Sequence, residues 1–144
     1  MVAASGLLDT NTVILLPRLR DRSVLPEATL ISAITLAELS VGPLVASDDE
    51  ERVARQAELQ EAEASFDAIP FDAAAARAFA GVASSLRRSG RKPTARTFDA
   101  MIAAVAVANA LPLFTCNPGD FAGIDGLTVV AIPHPDTAHA KASP

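Results

Sequence analysis

Apolar residues in this chain fall into short runs that alternate with longer stretches where they recur every three or four positions. Gly6-Leu7-Leu8 is one such run, closed by Asp9, and it predicts a strand that ends on a carboxylate. Asp9-Thr10-Asn11-Thr12 can cap a short helix that stops near Pro17. Residues 28–32 predict a second strand, and Ser32 is placed to cap a helix reaching about residue 45, bent or interrupted at Gly42-Pro43. Ser47 followed by Asp48, Asp49 and Glu50 fits a capping box with Glu50 at the third helical position, opening a helix over 48–65. A third strand is expected within 66–71, and Asp72 caps a long helix that Gly90 stops. Beyond a basic, proline-containing loop at 91–96, residues 97–110 predict a helix apolar on nearly every side and therefore buried. Strands over 113–116 and 127–132, with a turn at 117–120, complete the series. Strands alternating with helices predict an α/β domain: a mostly parallel sheet covered on both faces. Sites in such sheets form beyond the carboxyl ends of the strands, where Asp9 and Asn117 fall.

At 144 residues, half of them hydrophobic, the chain has the length and apolar content for one domain, expected over 1–132. Residues 133–144, rich in Pro and Ala, read as a flexible tail. A single cysteine, Cys116, excludes an internal disulfide framework and suits a reducing cytoplasm. No basic region precedes the first apolar run, which argues against a secretory signal, and no uncharged apolar run is long enough to span a membrane. The net charge of −5 argues against a general nucleic-acid binder. Its distribution changes that picture. Arg18, Arg20 and Arg22 form one basic patch and Arg87, Arg88, Arg91, Lys92 and Arg96 another, together eight of the twelve basic residues. Much of the acidity lies apart from both, between Asp48 and Glu63. Two basic patches on an acidic protein are compatible with a phosphate-rich substrate.

Three carboxylates stand beside apolar segments, where a functional role competes with a plain structural one. At about 100° per residue, Ile34, Val41 and Val45 form one stripe with Glu38 inside it, and a carboxylate on a buried face is costly unless compensated. An ion pair with an arginine would explain Glu38 equally well. Asp99 stands near the start of the most apolar helix, on a face continued by Ile102, Ala103, Ala106 and Ala110. A favourable place on the helix dipole accounts for it without any function. A plain helix cap likewise accounts for Asp9, and turn chemistry for Asn117 and Asp120. Jointly the picture differs. Acids gathered near apolar walls repel one another, and a hard divalent cation such as Mg2+ or Mn2+ removes the conflict by taking their oxygens as ligands.

In their order and spacing, LLDTN at 7–11, ITLAEL at 34–39, FDAMIAAVAVANALPLFTCN at 98–117 and GDF at 119–121 resemble the PIN-domain family, and within it the VapC toxins of toxin–antitoxin pairs. The resemblance covers nearly the whole chain except the tail. It implies an α/β/α sandwich and a metal-dependent endoribonuclease, usually a homodimer, silenced by a VapB-like antitoxin. By that resemblance Asp9, Glu38 and Asp99 match the three core acids, and Thr10, Asn11 and Thr115 match the small polar residues that support them. The fourth acidic position falls on Asn117, so one negative charge is missing, and Asp120 is placed to help through a water. The implied roles are metal ligation by Asp9 and Asp99, with Glu38 completing the shell or orienting the attacking water. In-line attack would leave a 5′-phosphate and a 3′-hydroxyl. Arg87, Arg88, Arg91, Lys92 and Arg96 are candidates for RNA phosphates, against the plainer reading of a solvated basic face. With no Trp or Tyr for stacking, a folded RNA such as tRNA or rRNA, read by shape and backbone, suits the chain better than single strands. The helices over 32–45 and 47–65 are expected to form the groove for an amphipathic antitoxin helix.

Rival chemistries fit less of the chain. Asp9-Thr10-Asn11-Thr12 resembles the DxDxT opening of haloacid-dehalogenase-type phosphatases, but Asn11 replaces the proton donor and Glu38 is left without a role. Both histidines, His134 and His139, fall in the tail, which disfavours a histidine-pair nuclease. Cys116 has nothing basic beside it in sequence and reads as structural. The alternative from another class is a catalytically silent PIN-like module that binds RNA or protein.

Overall fold

Leu7 and Leu8 set the layering of the domain. In β1 (Ser5–Leu8) successive side chains point to opposite faces, and both leucines are fully buried, so each face carries a core of its own. The computed structural model describes residues 4–92 and 96–136. Around β1 it places β2 (Ala28–Ser32), β3 (Ala68–Ile69), β4 (Leu113–Thr115) and β5 (Val129–Ala131) in the order β3-β2-β1-β4-β5, every pair parallel. Leu7 stands opposite Leu30 on one side and Leu113 on the other, which fixes β1 as the central strand. On the Leu7 face, α4 (Ala73–Arg88) and α5 (Thr97–Ala108) bury Val82, Leu86, Ile102 and Val105 with Phe121. On the Leu8 face, α1 (Thr10–Leu15), α2 (Ala33–Val41) and α3 (Asp49–Ser65) bury Val13, Leu39 and Ala62 against Ile31 and Phe114. The α/β/α sandwich expected from the sequence is the architecture observed.

Several boundaries differ for local reasons. The α3 cap is Asp48, whose carboxylate accepts from the Glu51 amide while the Glu51 carboxylate accepts from the Ser47 amide. The reciprocal pair therefore lies one residue later than the Ser47/Glu50 expectation, because Asp48 competes successfully for the cap. Gly42-Pro43 ends α2 at Val41 and starts a 3-10 turn over Gly42–Val45. That turn takes Val45 off the 100° progression on which the Glu38 stripe was drawn. Val41 and Val45 are 51% and 64% exposed, and the buried face of α2 is Thr35 with Leu39. The third strand shrinks to two residues, and α5 stops at Ala108, leaving Ala110 exposed with a positive φ of 52°. Ala110 thus does not continue the Asp99 face. At the other end of the chain, Asp136 pairs with Arg18; residues 137–144 of the expected tail, His139 included, lie outside the described residues.

An apolar groove lies beside α3. It is a cleft of about 380 Å³ between α3 and α1 with its following turn, floored by Val13, Leu16, Ala57 and Phe66 and edged by Glu58 and Glu61. Among the described residues no helix is long and apolar enough to cross a membrane.

Tight packing around β1 makes Gly6 a sensitive position. A Cβ there would lie 2.5 Å from the Phe114 ring and 3.0 Å from Pro26 Cγ, and Phe114 is only 2% exposed and unable to yield. Gly6→Ala is expected to destabilise the domain by about 1–3 kcal/mol, read as a lower midpoint in urea with an unchanged slope.

Candidate active site

Strand order reverses at β1: the chain goes from β1 to β2 on one side and returns to β4 on the other. The carboxyl ends of β1 and β4 therefore border the crevice where open parallel sheets carry their sites. Asp9 directly follows β1 and is 3% exposed. Cys116 and Asn117 directly follow β4. Glu38 lies on α2, Asp99 in the first turn of α5, and Asp120 in the 3-10 turn Pro118–Phe121. Four acids separated by up to 111 positions in the chain thus meet at one edge of the sheet.

Buried threonines hold this edge together. The Thr12 hydroxyl donates to Asp9 Oδ1 and accepts from the Cys116 amide at 3.0 Å, so one fully buried side chain ties the end of β1 to the end of β4. The Thr115 hydroxyl also hydrogen-bonds the Asp9 carboxylate, and it accepts from the Asn117 amide at 2.9 Å. On the α2 side, Thr10 donates to Glu38 Oε1 at 2.6 Å. Since that bond uses the Thr10 proton, the 3.0 Å contact between the Thr10 and Thr35 hydroxyls runs from Thr35 to Thr10. Two threonine relays therefore end on two carboxylates and supply each with a donated proton.

The electrostatics are those of an incompletely neutralised anionic site. Burial pushes the Asp9 carboxyl above the ordinary range, against the opposing hydrogen bonds of Thr12 and Thr115. Glu38 is raised by burial first, against its bond from Thr10, and the charge of Asp99 adds to the rise. Asp99 is also raised by burial first, then by the charges of Asp120 and Asp9, while Arg96 opposes the shift. These effects put Asp9, Glu38 and Asp120 each within electrostatic range of Asp99. All the donors are hard oxygens, which suits Mg2+ or Mn2+ rather than a soft metal. Among the described residues, however, no three His, Cys, Asp or Glu side chains close on a common point as a finished ligand set. Asp120 instead faces Arg96, whose Nη1 is 2.7 Å from Asp120 Oδ1 and 3.9 Å from Asp99 Oδ2.

Among the residues expected in the site, Asp9, Glu38, Asp99, Asp120, Thr10 and Thr115 share this edge. Asn117 is half-buried beside it, and Asn11 is exposed on the first turn of α1. The basic residues divide. Arg96 meets the acids, and Arg91 donates to the carbonyls of Gly119 and Asp120 at 2.6 and 3.0 Å, bracing the turn that carries Asp120. Arg88 is turned away to Asp125, while Arg87 and Lys92 are exposed. Cys116 is buried, and burial raises its thiol pKa, as expected of a structural cysteine. Thr12 and Thr35 were not anticipated. Thr35 carried a signal, a polar residue one helical turn before Glu38, whereas the bond from Thr12 to β4 spans 104 positions and has no local trace.

Because the folded state raises the Asp9 pKa, it binds that proton more tightly than the unfolded chain does. Ionised Asp9 therefore opposes folding at neutral pH, and the cost vanishes at a pH low enough to protonate Asp9 in both states. Asp9→Asn is expected to raise the melting temperature at pH 7 in chelator by a few degrees, the shift that ~1 kcal/mol produces in a domain of this size. The gain should shrink as the pH falls through the carboxylate range, as followed by thermal denaturation.

Comparisons with known proteins bear on the family and the fold. The family model for the PIN domain matches residues 6–127. Ribonuclease VapC5 of Mycobacterium tuberculosis is 40% identical over 131 residues, covering 90% of this chain and 94% of that protein. Among solved structures, VapBC-5 of M. tuberculosis, a member of the VapBC family of toxin–antitoxin systems, aligns with a TM-score of 0.76 and 33% identity, over 90% of this chain and 99% of that one. FitAcB of Neisseria gonorrhoeae aligns with a TM-score of 0.63 and 29% identity, over 85% and 94% of the two chains. With its acids gathered at the reversal of a parallel sheet and a family model spanning the fold, this chain belongs to the PIN-domain family.

Proposed function

We propose that this PIN-domain protein is an endoribonuclease toxin of the VapC type, dependent on a divalent metal and neutralised by a VapB-like antitoxin. The observation that carries the reading is the buried Asp9 carboxylate at the end of the central strand, coupled by charge to Asp99 and through it to Glu38 and Asp120. The 40% identity with a ribonuclease of this type, extending over nearly the whole length of both proteins, supports it. Mg2+ is our choice of ion, with Mn2+ as a substitute, because the donors are carboxylate oxygens. Asp9 and Asp99 are the side chains assigned to hold it, with Glu38 and Asp120 around them. When bound, such an ion provides Lewis acidity at the scissile phosphate and lowers the pKa of its water.

The chain's own residues do the rest. Thr12 and Thr115 fix the Asp9 carboxylate in one orientation, and the Thr35–Thr10 relay does the same for Glu38, which orients the attacking water. Asn117 and Asp120 line the β4 side of the crevice. The exposed Arg87 and Lys92, with Arg91 and Arg96 nearer the acids, offer cations to the phosphates of a folded RNA such as tRNA or rRNA. The antitoxin's amphipathic helix is assigned to the apolar groove between α1 and α3. The reading places the toxin in the cytoplasm, where its RNA lies and Cys116 stays reduced.

End-labelled structured RNAs, incubated with antitoxin-free protein with and without Mg2+ or Mn2+, test the reading directly. Asp99→Asn is expected to lower metal-dependent cleavage by roughly 100-fold or more. Cleavage that survives chelator or the substitution would overturn it, and metal binding without cleavage of any RNA would favour the silent module. Thr35→Val, which removes the relay at nearly constant volume, should cost about tenfold in metal affinity or kcat, with Thr35→Ser restoring most of it. Titration calorimetry and single-turnover cleavage separate those two effects.

A further inference from the structure

The acids of the site are not waiting open. Arg96 stands immediately before α5 with a non-helical backbone, and its side chain makes no cap bond to that helix. It reaches instead across the crevice mouth, to Asp120 in the turn after β4 and to Asp99 in the first turn of α5. The guanidinium is thus the link between two acids carried on different elements. Neighbouring arginines are committed otherwise: Arg91 donates to backbone carbonyls and Arg88 pairs with Asp125, so neither neutralises these carboxylates.

This contact lies where oxygen donors are gathered without a finished ligand set among the described residues. Arg96 engages one oxygen of each carboxylate, and a guanidinium and a divalent ion drawn to the same two acids repel each other. All three side chains are about one-third exposed, Arg96 at 39%, Asp99 at 34% and Asp120 at 35%. The pair is therefore at the solvent boundary, where an ion pair is modest in strength and a doubly charged ion can displace it. We propose that Arg96 and a divalent cation compete for Asp99 and Asp120, so that Arg96 closes the site until the cation moves its guanidinium off the acids. This inference rests on reading the site as metal-dependent.

The full-length chain tests it without any RNA. Mn2+ affinity is measured by titration calorimetry for the natural protein, for Arg96→Gln, and for Arg87→Gln as a control that removes one exposed positive charge of the same basic patch. Arg96→Gln is expected to bind Mn2+ roughly three- to tenfold more tightly, the range that corresponds to losing one competing ion pair, with a smaller change for Arg87→Gln. In the natural protein, the Arg96 side-chain Nε–H resonance should shift as Mg2+ is added, in step with cation occupancy. Equal or weaker binding in Arg96→Gln, an equal gain in Arg87→Gln, or an Arg96 resonance that ignores Mg2+ would overturn the competition while leaving the metal reading intact. Absence of cation binding in all three proteins would bring down the metal reading and this inference together.

Discussion

Everything at the active edge depends on one carboxylate buried at the end of a parallel strand. Asp9 is held out of water by the same packing that buries Leu7 and Leu8, and it carries a desolvation cost that neighbouring hydroxyls only partly offset. Parallel topology makes this position useful. Because every strand runs the same way, every carboxyl end arrives at one edge, and the reversal of order at β1 opens a crevice there. The charges of Asp120 and Asp9 then raise the proton affinity of Asp99, and Asp99 raises that of Glu38, so the fold concentrates negative charge at this edge.

The threonines show how such a site keeps its shape. A hydroxyl both donates and accepts, so Thr12 can satisfy Asp9 and the Cys116 amide at once, and Thr35 can act on Glu38 through Thr10. Among the described residues, no buried side-chain polar atom lacks a hydrogen-bond partner, which for a polar seam between two apolar cores is a demanding condition. Arg96 meets the remaining charge at the more exposed side of the same seam. The site is thus rigid where it is buried and ionic where it is wet.

Legibility of the fold followed the range of the forces. The strands around Leu7 and Leu113, the Ser32 and Asp72 caps, and the apolar α5 were all readable, because alternation and capping act within a few residues. The α3 cap moved by one residue because two neighbouring side chains compete for the same amides, a contest that pattern alone does not settle. Glu38 was singled out through a stripe whose later members, Val41 and Val45, are exposed, yet the residue does lie in the crevice, half-buried and bonded to Thr10.

By itself the sequence determined the α/β class, the order of elements and the small set of acids out of place, since each is encoded locally or in motif order along the chain. Only the tertiary structure decided which residues support those acids and which oppose a cation. Thr12 meets the end of β4 across 104 positions, Arg96 pairs with Asp120 as well as with Asp99, and an apolar groove opens between α1 and α3. Those contacts arise when strands distant in sequence are laid side by side and helices pack over them. Hydrogen bonds and ion pairs of a few ångströms are fixed by that packing, and no periodicity along the chain records them.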